Sequence, residues 1–182
     1  MTKLLNYLWR GWMIIIAGIL LIIFFVPVYI LSFRKEHYKY AYFFVRLWCK
    51  GIFYGMGFRY ELIKLTDKKI DKDQQYVIIA NHTSIMDIML PVILFPKHPI
   101  CFVGKKELVK IPIFGTIYKR ICVMVDRSSA RSRAEVYKRC AERMAEGDSI
   151  VIFPEGGVPD DTSVLLAPFK DGAFILSREH QS

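Results

Sequence analysis

The chain has 182 residues, 53% of them hydrophobic, and a formal net charge of +9. That length holds one globular domain with a short appendage and argues against a second catalytic domain. The charge asks for an anionic partner, nucleic acid or the acidic face of a membrane, while Cys49, Cys101, Cys122 and Cys140 lack C-x-x-C spacing and read as reduced core thiols, not a zinc site or disulfide framework.

From Gly11 to Phe33 there is no charged residue, and a bilayer core needs about 20 apolar residues. The segment is therefore read as membrane-embedded. No small-x-small cleavage site precedes Arg34, so it is expected to be retained. Arg34, Lys35, Lys39, Arg46 and Lys50 on its C-terminal side outnumber Lys3 and Arg10 on the other, which puts the body of the protein on the cytoplasmic face. Pro27 leaves both a spanning and a re-entrant path open.

A second helix is predicted over 37–58, where Lys39, Arg46 and Lys50 line one stripe of an aromatic surface. Such a helix either lies among lipid headgroups or packs on the globular domain. Residues 1–60 are thus assigned to membrane-anchoring helices and 61–182 to the globular domain, near whose start the polar stretch Leu65 to Gln75 reads as a solvated turn region. Aromatic residues concentrate in the apolar N-terminal third, leaving no interleaved basic and aromatic platform, so no nucleic-acid partner is expected.

Four apolar runs follow: YVIIA (76–80), ICFVG (100–104), ICVMV (121–125) and SIVIF (149–153). Each is strand-length, rich in Val and Ile and without strict alternation, as strands covered on both faces are. Between the last two, 128–147 reads as a helix, with Ser132 and Glu135 as a capping box, Val136, Cys140 and Met144 as its apolar stripe and Gly147 as its stop. The fold class is α/β, a mixed but largely parallel sheet flanked by helices behind the membrane segment.

In such sheets ligands collect beyond the C-terminal strand ends. There the runs are followed by Asn81 and His82, by Lys105 and Lys106, by Asp126 and Arg127, and by Pro154, Glu155, Gly156 and Gly157. His82 and Asp87 in NHTSIMD are spaced for a general base and its orienting carboxylate, with N–H groups at the helix start available to a developing oxyanion. The same residues also fit a plain capping box of Ser84 and Asp87, and spacing does not separate the two. Ser84 fits a cap better than a nucleophile. Lys105, Lys106 and Arg127 are candidate phosphate ligands. His37, His98 and His180 have no partner at metal-ligand spacing, and no metal is expected.

The ordered blocks NHTSIMD, KKELVKIPIFG, VMVDR, FPEG and LLAPFKDGAF resemble the 1-acyl-sn-glycerol-3-phosphate acyltransferases, from about Tyr76 to the C-terminus. The resemblance implies transfer of a fatty acyl group from acyl-CoA or acyl-ACP, a co-substrate, with no cofactor, to the free hydroxyl of a lysophospholipid acceptor, 1-acyl-sn-glycerol-3-phosphate, giving phosphatidic acid. By position it makes His82 the base, Asp87 its partner, and Lys105, Arg127, Glu155 and Gly156 binders of the glycerol phosphate. Partners would be that acceptor, the acyl thioester donor with acyl carrier protein as one carrier, and membrane lipids. Two departures matter. Gly157 and Val158 stand where the family commonly has Thr-Arg, and the sequence stops before the family's fourth block, which reads as C-terminal truncation. A different lyso-lipid acceptor and a non-catalytic membrane-binding module therefore stay open as alternatives.

Overall fold

The computed structural model describes residues 2–126, 128–159, 161 and 164–180. Helix α1 (Thr2–Leu31) is followed by α2 (Tyr38–Gly55). Then come β1 (Val77–Ile79), α3 (Met89–Leu94), β2 (Ile100–Lys105), α4 (Phe114–Ile121), β3 (Val123–Val125), α5 (Ala130–Ala145), β4 (Ser149–Ile152) and α6 (Gly172–His180). The four strands form a sheet in the order β1-β4-β2-β3, and every pairing is parallel. All four apolar runs thus become strands, and their C-terminal ends share one edge.

Side chains alternate across this sheet with period two. Ile100 and Val151 face a core shared with Tyr42, Ile52 and Phe53 of α2 and Met89, Val92 and Ile93 of α3. Their neighbours Cys101 and Ile150 face the opposite core, with Val123 of β3, Cys140 and Met144 of α5 and Leu176 of α6. Each fully buried aliphatic side chain contributes roughly 1.5–3 kcal/mol. Burial on both faces explains why the runs lack a polar alternation. It also pushes the thiols of Cys101 and Cys140 up, to about 11 and about 12, which leaves them inert.

Helices α1 and α2 lie against each other through glycine. A Cβ on Gly51 would lie 2.5 Å from Leu20, and one on Gly55 would lie 3.0 Å from Ile16, so two bare positions one turn apart admit the partner helix. Trp48 and Trp12 donate their indole N–H groups to the carbonyls of Ala17 (3.2 Å) and Gly55 (3.1 Å). Helix α1 continues through Pro27 and is long and apolar enough to cross a membrane. Leu5, Leu8, Ile15, Ile19, Ile22 and Ile30 on it are exposed.

Helix α2 is tied into the domain. Arg46, expected on a basic stripe, is half-buried and donates to the carbonyl of Ile93 at 3.2 Å, and Tyr38 donates to the carbonyl of Ile100 at 2.6 Å. Packing on the domain holds for this face; of the three basic residues Lys39 alone stays in the open, over the ring of Tyr40, while Lys50, like Arg46, is half-buried.

Two local expectations change. Ile121 ends α4 and Cys122 caps it, so the third strand is shorter than its apolar run. The N-cap of α5 is Ser129, whose hydroxyl accepts from the N–H of Ser132 at 3.1 Å, and not Ser132 itself. Ser132 instead accepts the N–H of Asp126 (3.0 Å), closing the loop after β3, and Glu135 pairs with Arg131. The apolar stripe of Val136, Cys140 and Met144 packs as expected, and Gly147 ends the helix at φ +99°.

Candidate active site

Beyond β1 the chain turns into NHTSIMD, which forms a cap and brings Asp87 up to His82. The hydroxyl of Ser84 accepts from the N–H of Met86 (3.2 Å), while one carboxylate oxygen of Asp87, Oδ2, accepts from the N–H groups of Thr83 and Ser84, both at 2.7 Å. This is a capping box. The same Oδ2 lies 3.5 Å from Nδ1 of His82. The cap fixes the carboxylate, and the fixed carboxylate addresses the imidazole.

The ring of His82 is buried and stacks on Phe153, centroids 4.2 Å apart and planes 21° from parallel. Phe153 in turn stacks on Phe102 at 6.3 Å. One face of the imidazole is thereby held by the residue that follows β4, and its Nδ1 edge faces Asp87 in the capped turn after β1. With the proton on Nδ1, toward Asp87, the lone pair on Nε2 is free to accept one. The pair is long for a hydrogen bond, and such contacts shorten when substrate closes the site.

Glu155 binds the two strand ends together. Its Oε1 accepts from the N–H of His82 (2.5 Å) and its Oε2 from the N–H of Ala167 (2.8 Å). A buried carboxylate with both oxygens engaged by backbone donors is a strong bracket, because each bond is charge-assisted. Sequence spacing did not show this role, since the contact joins residues 73 positions apart. Glu155→Ala leaves two N–H groups without their acceptor, at about 1–3 kcal/mol each. We expect it to lower the thermal unfolding midpoint, whereas substitution of exposed Lys110 should not.

The helix-start donors expected to serve an oxyanion are already occupied: those of Thr83 and Ser84 by Asp87, and that of Met86 by Ser84. Ser84, engaged as a cap, is equally unsuited to attack. Lys105 ends β2 on the common edge and is exposed, its backbone carbonyl accepting from Tyr118 at 3.2 Å. That approach is possible because Gly104 has no side chain; a Cβ there would fall 1.8 Å from the phenol oxygen. Lys106 turns to Asp126, Nζ to Oδ2 3.8 Å. The hydroxyl and N–H of Ser128 hold the carboxyl of Asp126 below its ordinary range. Arg127 lies outside the described residues. Gly156, at φ +86°, follows Glu155 in a turn that a residue with a side chain would strain.

The arrangement offers a buried imidazole backed by a carboxylate, beside a turn of Pro154, Glu155 and Gly156, with basic side chains along the same sheet edge. Among the described residues no group of three or more His, Cys, Asp or Glu could hold a metal ion. Comparison with known proteins adds the following. Residues 62–182 match the family model described as Acyltransferase. The chain is 33% identical over 106 residues to the 1-acyl-sn-glycerol-3-phosphate acyltransferase of Helicobacter pylori, covering 58% of this chain and 44% of that protein. It is 30% identical over 98 residues to the lyso-ornithine lipid O-acyltransferase of Rhizobium meliloti, covering 53% and 32%. The crystal structure of the 1-acyl-sn-glycerophosphate acyltransferase from Thermotoga maritima superposes with a TM-score of 0.73 at 23% identity, over 98% of this chain and 71% of that one, and shares the fold. The chain spans less than half the length of the curated relatives it matches.

Proposed function

The chain belongs to the Acyltransferase family, and on that premise we propose that it moves a fatty acyl group from acyl-CoA or acyl-ACP to the free hydroxyl of 1-acyl-sn-glycerol-3-phosphate, giving phosphatidic acid. The observation that carries this reading is the placement of His82 Nδ1 3.5 Å from a carboxylate that its own capping box immobilises. Nε2 of His82 takes the proton of the acceptor hydroxyl while the oxygen attacks the thioester carbonyl. Asp87 stabilises the imidazolium that forms. As the tetrahedral adduct collapses, the C–S bond breaks and the thiolate leaves with that proton. No covalent acyl-enzyme is required, in keeping with Ser84 being held as a cap.

Glu155 is a positioning residue in this scheme, and Lys105, Arg127 and Gly156 are the groups nearest in kind to what a glycerol phosphate needs. The exposed apolar surface of α1 seats the protein in the membrane from which the acceptor comes. The catalytic domain then faces the cytoplasm, where acyl thioesters are available.

Val158 favours a second reading, since it puts an apolar, exposed side chain where the resemblance leads one to expect arginine. The acceptor would then be another lyso-lipid, such as the lyso-ornithine lipid in the name of the Rhizobium relative. A panel of lyso-lipid acceptors, offered at matched concentration with labelled acyl-CoA and acyl-ACP to the protein in detergent, separates the two. The leading reading expects lysophosphatidate to be used best. A clear preference for an uncharged or zwitterionic acceptor overturns it, and absence of any transfer overturns both.

A further inference from the structure

The segment after the F-P-E-G turn does not run away from the site but is tied back to it twice. Ala167 donates its N–H to Glu155, at 2.8 Å, and Lys170 donates its N–H to the carbonyl of Pro154, at 3.0 Å. The second bond fixes the backbone of Lys170 against the turn, and the side chain then lies along Gly156. A Cβ built on Gly156 would sit 2.6 Å from the Lys170 ammonium, 3.5 Å from its Cε and 3.8 Å from its Cδ. The bare Cα of Gly156 is therefore the floor on which an ammonium rests. The turn follows β4, which pairs directly with β1, and His82 lies in the loop that leaves β1.

Of the other described basic groups on this edge, Lys105 stands exposed at the end of β2, on the opposite side of β4 from β1. Lys106 already faces the carboxylate of Asp126. The turn itself has Val158, exposed and apolar. Glu155 beside it is an anion that would repel a phosphate, and a cation on Gly156 offsets that repulsion.

We propose that Lys170 is the cation that holds the anionic phosphate of the lyso-lipid acceptor at this turn, and so sets the preference for a charged headgroup. The assignment rests on the acyltransferase reading given above. Lysine suits the place because its ammonium is a compact point charge on a long stem and needs no planar partner. The lack of a side chain at Gly156 lets it stay close to the backbone while a phosphate bridges outward.

The test is steady-state kinetics of the full chain in detergent, with lysophosphatidate and with uncharged monoacylglycerol as acceptors, for the wild type, Lys170→Gln and Lys170→Arg. Loss of one charged hydrogen bond should raise the KM for lysophosphatidate roughly 10- to 100-fold in Lys170→Gln. Its kcat, its KM for acyl-CoA and its KM for monoacylglycerol should stay as in the wild type, and Lys170→Arg should retain most of the affinity. An unchanged lysophosphatidate KM in Lys170→Gln overturns the assignment and leaves the acyltransferase reading standing. So does an equal rise for both acceptors, which marks a purely structural role. A wild-type protein that transfers nothing to any acceptor overturns the functional reading, and this assignment with it.

Discussion

His82→Ala should lower kcat for acyl transfer by about 10²–10⁴-fold, the usual contribution of a positioned general base, with little change in the KM of the acyl donor. The imidazole combines burial, a stacked face and a carboxylate 3.5 Å from Nδ1. Asp87→Asn sharpens the assignment. The amide oxygen can still accept from Thr83 and Ser84, so the cap survives, but the charge that favours an imidazolium is gone. A smaller fall than for His82→Ala is expected. If the two side chains act as one unit, His82→Ala/Asp87→Asn is no slower than His82→Ala alone, because the carboxylate has nothing left to orient. Single-turnover rates with labelled acyl-CoA measure this directly. Wild-type turnover by His82→Ala, or strictly additive losses, would defeat the mechanism.

The strands were readable because parallel strands covered on both faces keep Val and Ile at nearly every position, as at Val77 to Ile79 and Ser149 to Ile152. The edge on which their ends meet followed from that, and with it the neighbourhood of His82, Lys105 and Glu155. Local runs could not say where β3 begins, since Ile121 and Cys122 are as apolar in a helix end as in a strand. Nor could they separate Ser129 from Ser132 as a cap, because both hydroxyls lie within reach of a backbone N–H and the loop after β3 claims one of them. For NHTSIMD spacing could not separate the cap from the proposed pair, since one oxygen of Asp87 both caps the turn and faces His82. The bracket made by Glu155 depends on β4 lying next to β1, a neighbour relation that strand patterns do not encode.

A last pairing was invisible for the same reason, and removing it should have the largest effect on stability. Arg143, in the last turn of α5, reaches Asp148 just before β4, Nη2 to Oδ2 2.6 Å, with both side chains largely buried. Its guanidinium also lies over the ring of Tyr38, 4.9 Å from the centroid, and Lys35 pairs with the adjacent Glu146. The start of α2 is thereby locked to the end of the sheet opposite the edge that carries His82. Burial pushes the carboxyl of Asp148 up to about 7, with Arg143 pulling it down and Glu146 pushing it further up. In Arg143→Met the restraining charge is gone and the burial remains, so the carboxyl must rise further. An unfolded aspartate titrates near 3.9, so over the interval up to the raised folded value the native state holds a proton that the unfolded chain has released. Stability then falls as pH rises through that window. The variant should therefore lose about 3–5 kcal/mol from the broken buried pair, and lose about 1 kcal/mol more at pH 8 than at pH 5.5, because pH 8 lies one unit above the folded value of about 7 and the variant must hold a proton that the intact pair releases. Arg143→Met/Asp148→Leu should regain most of the loss at both pH values, because two apolar side chains need no compensation. Urea unfolding in detergent at the two pH values provides the measurement. A pH-independent loss in the single variant would mean that Arg143 stabilises through its packing on Tyr38 and not through Asp148.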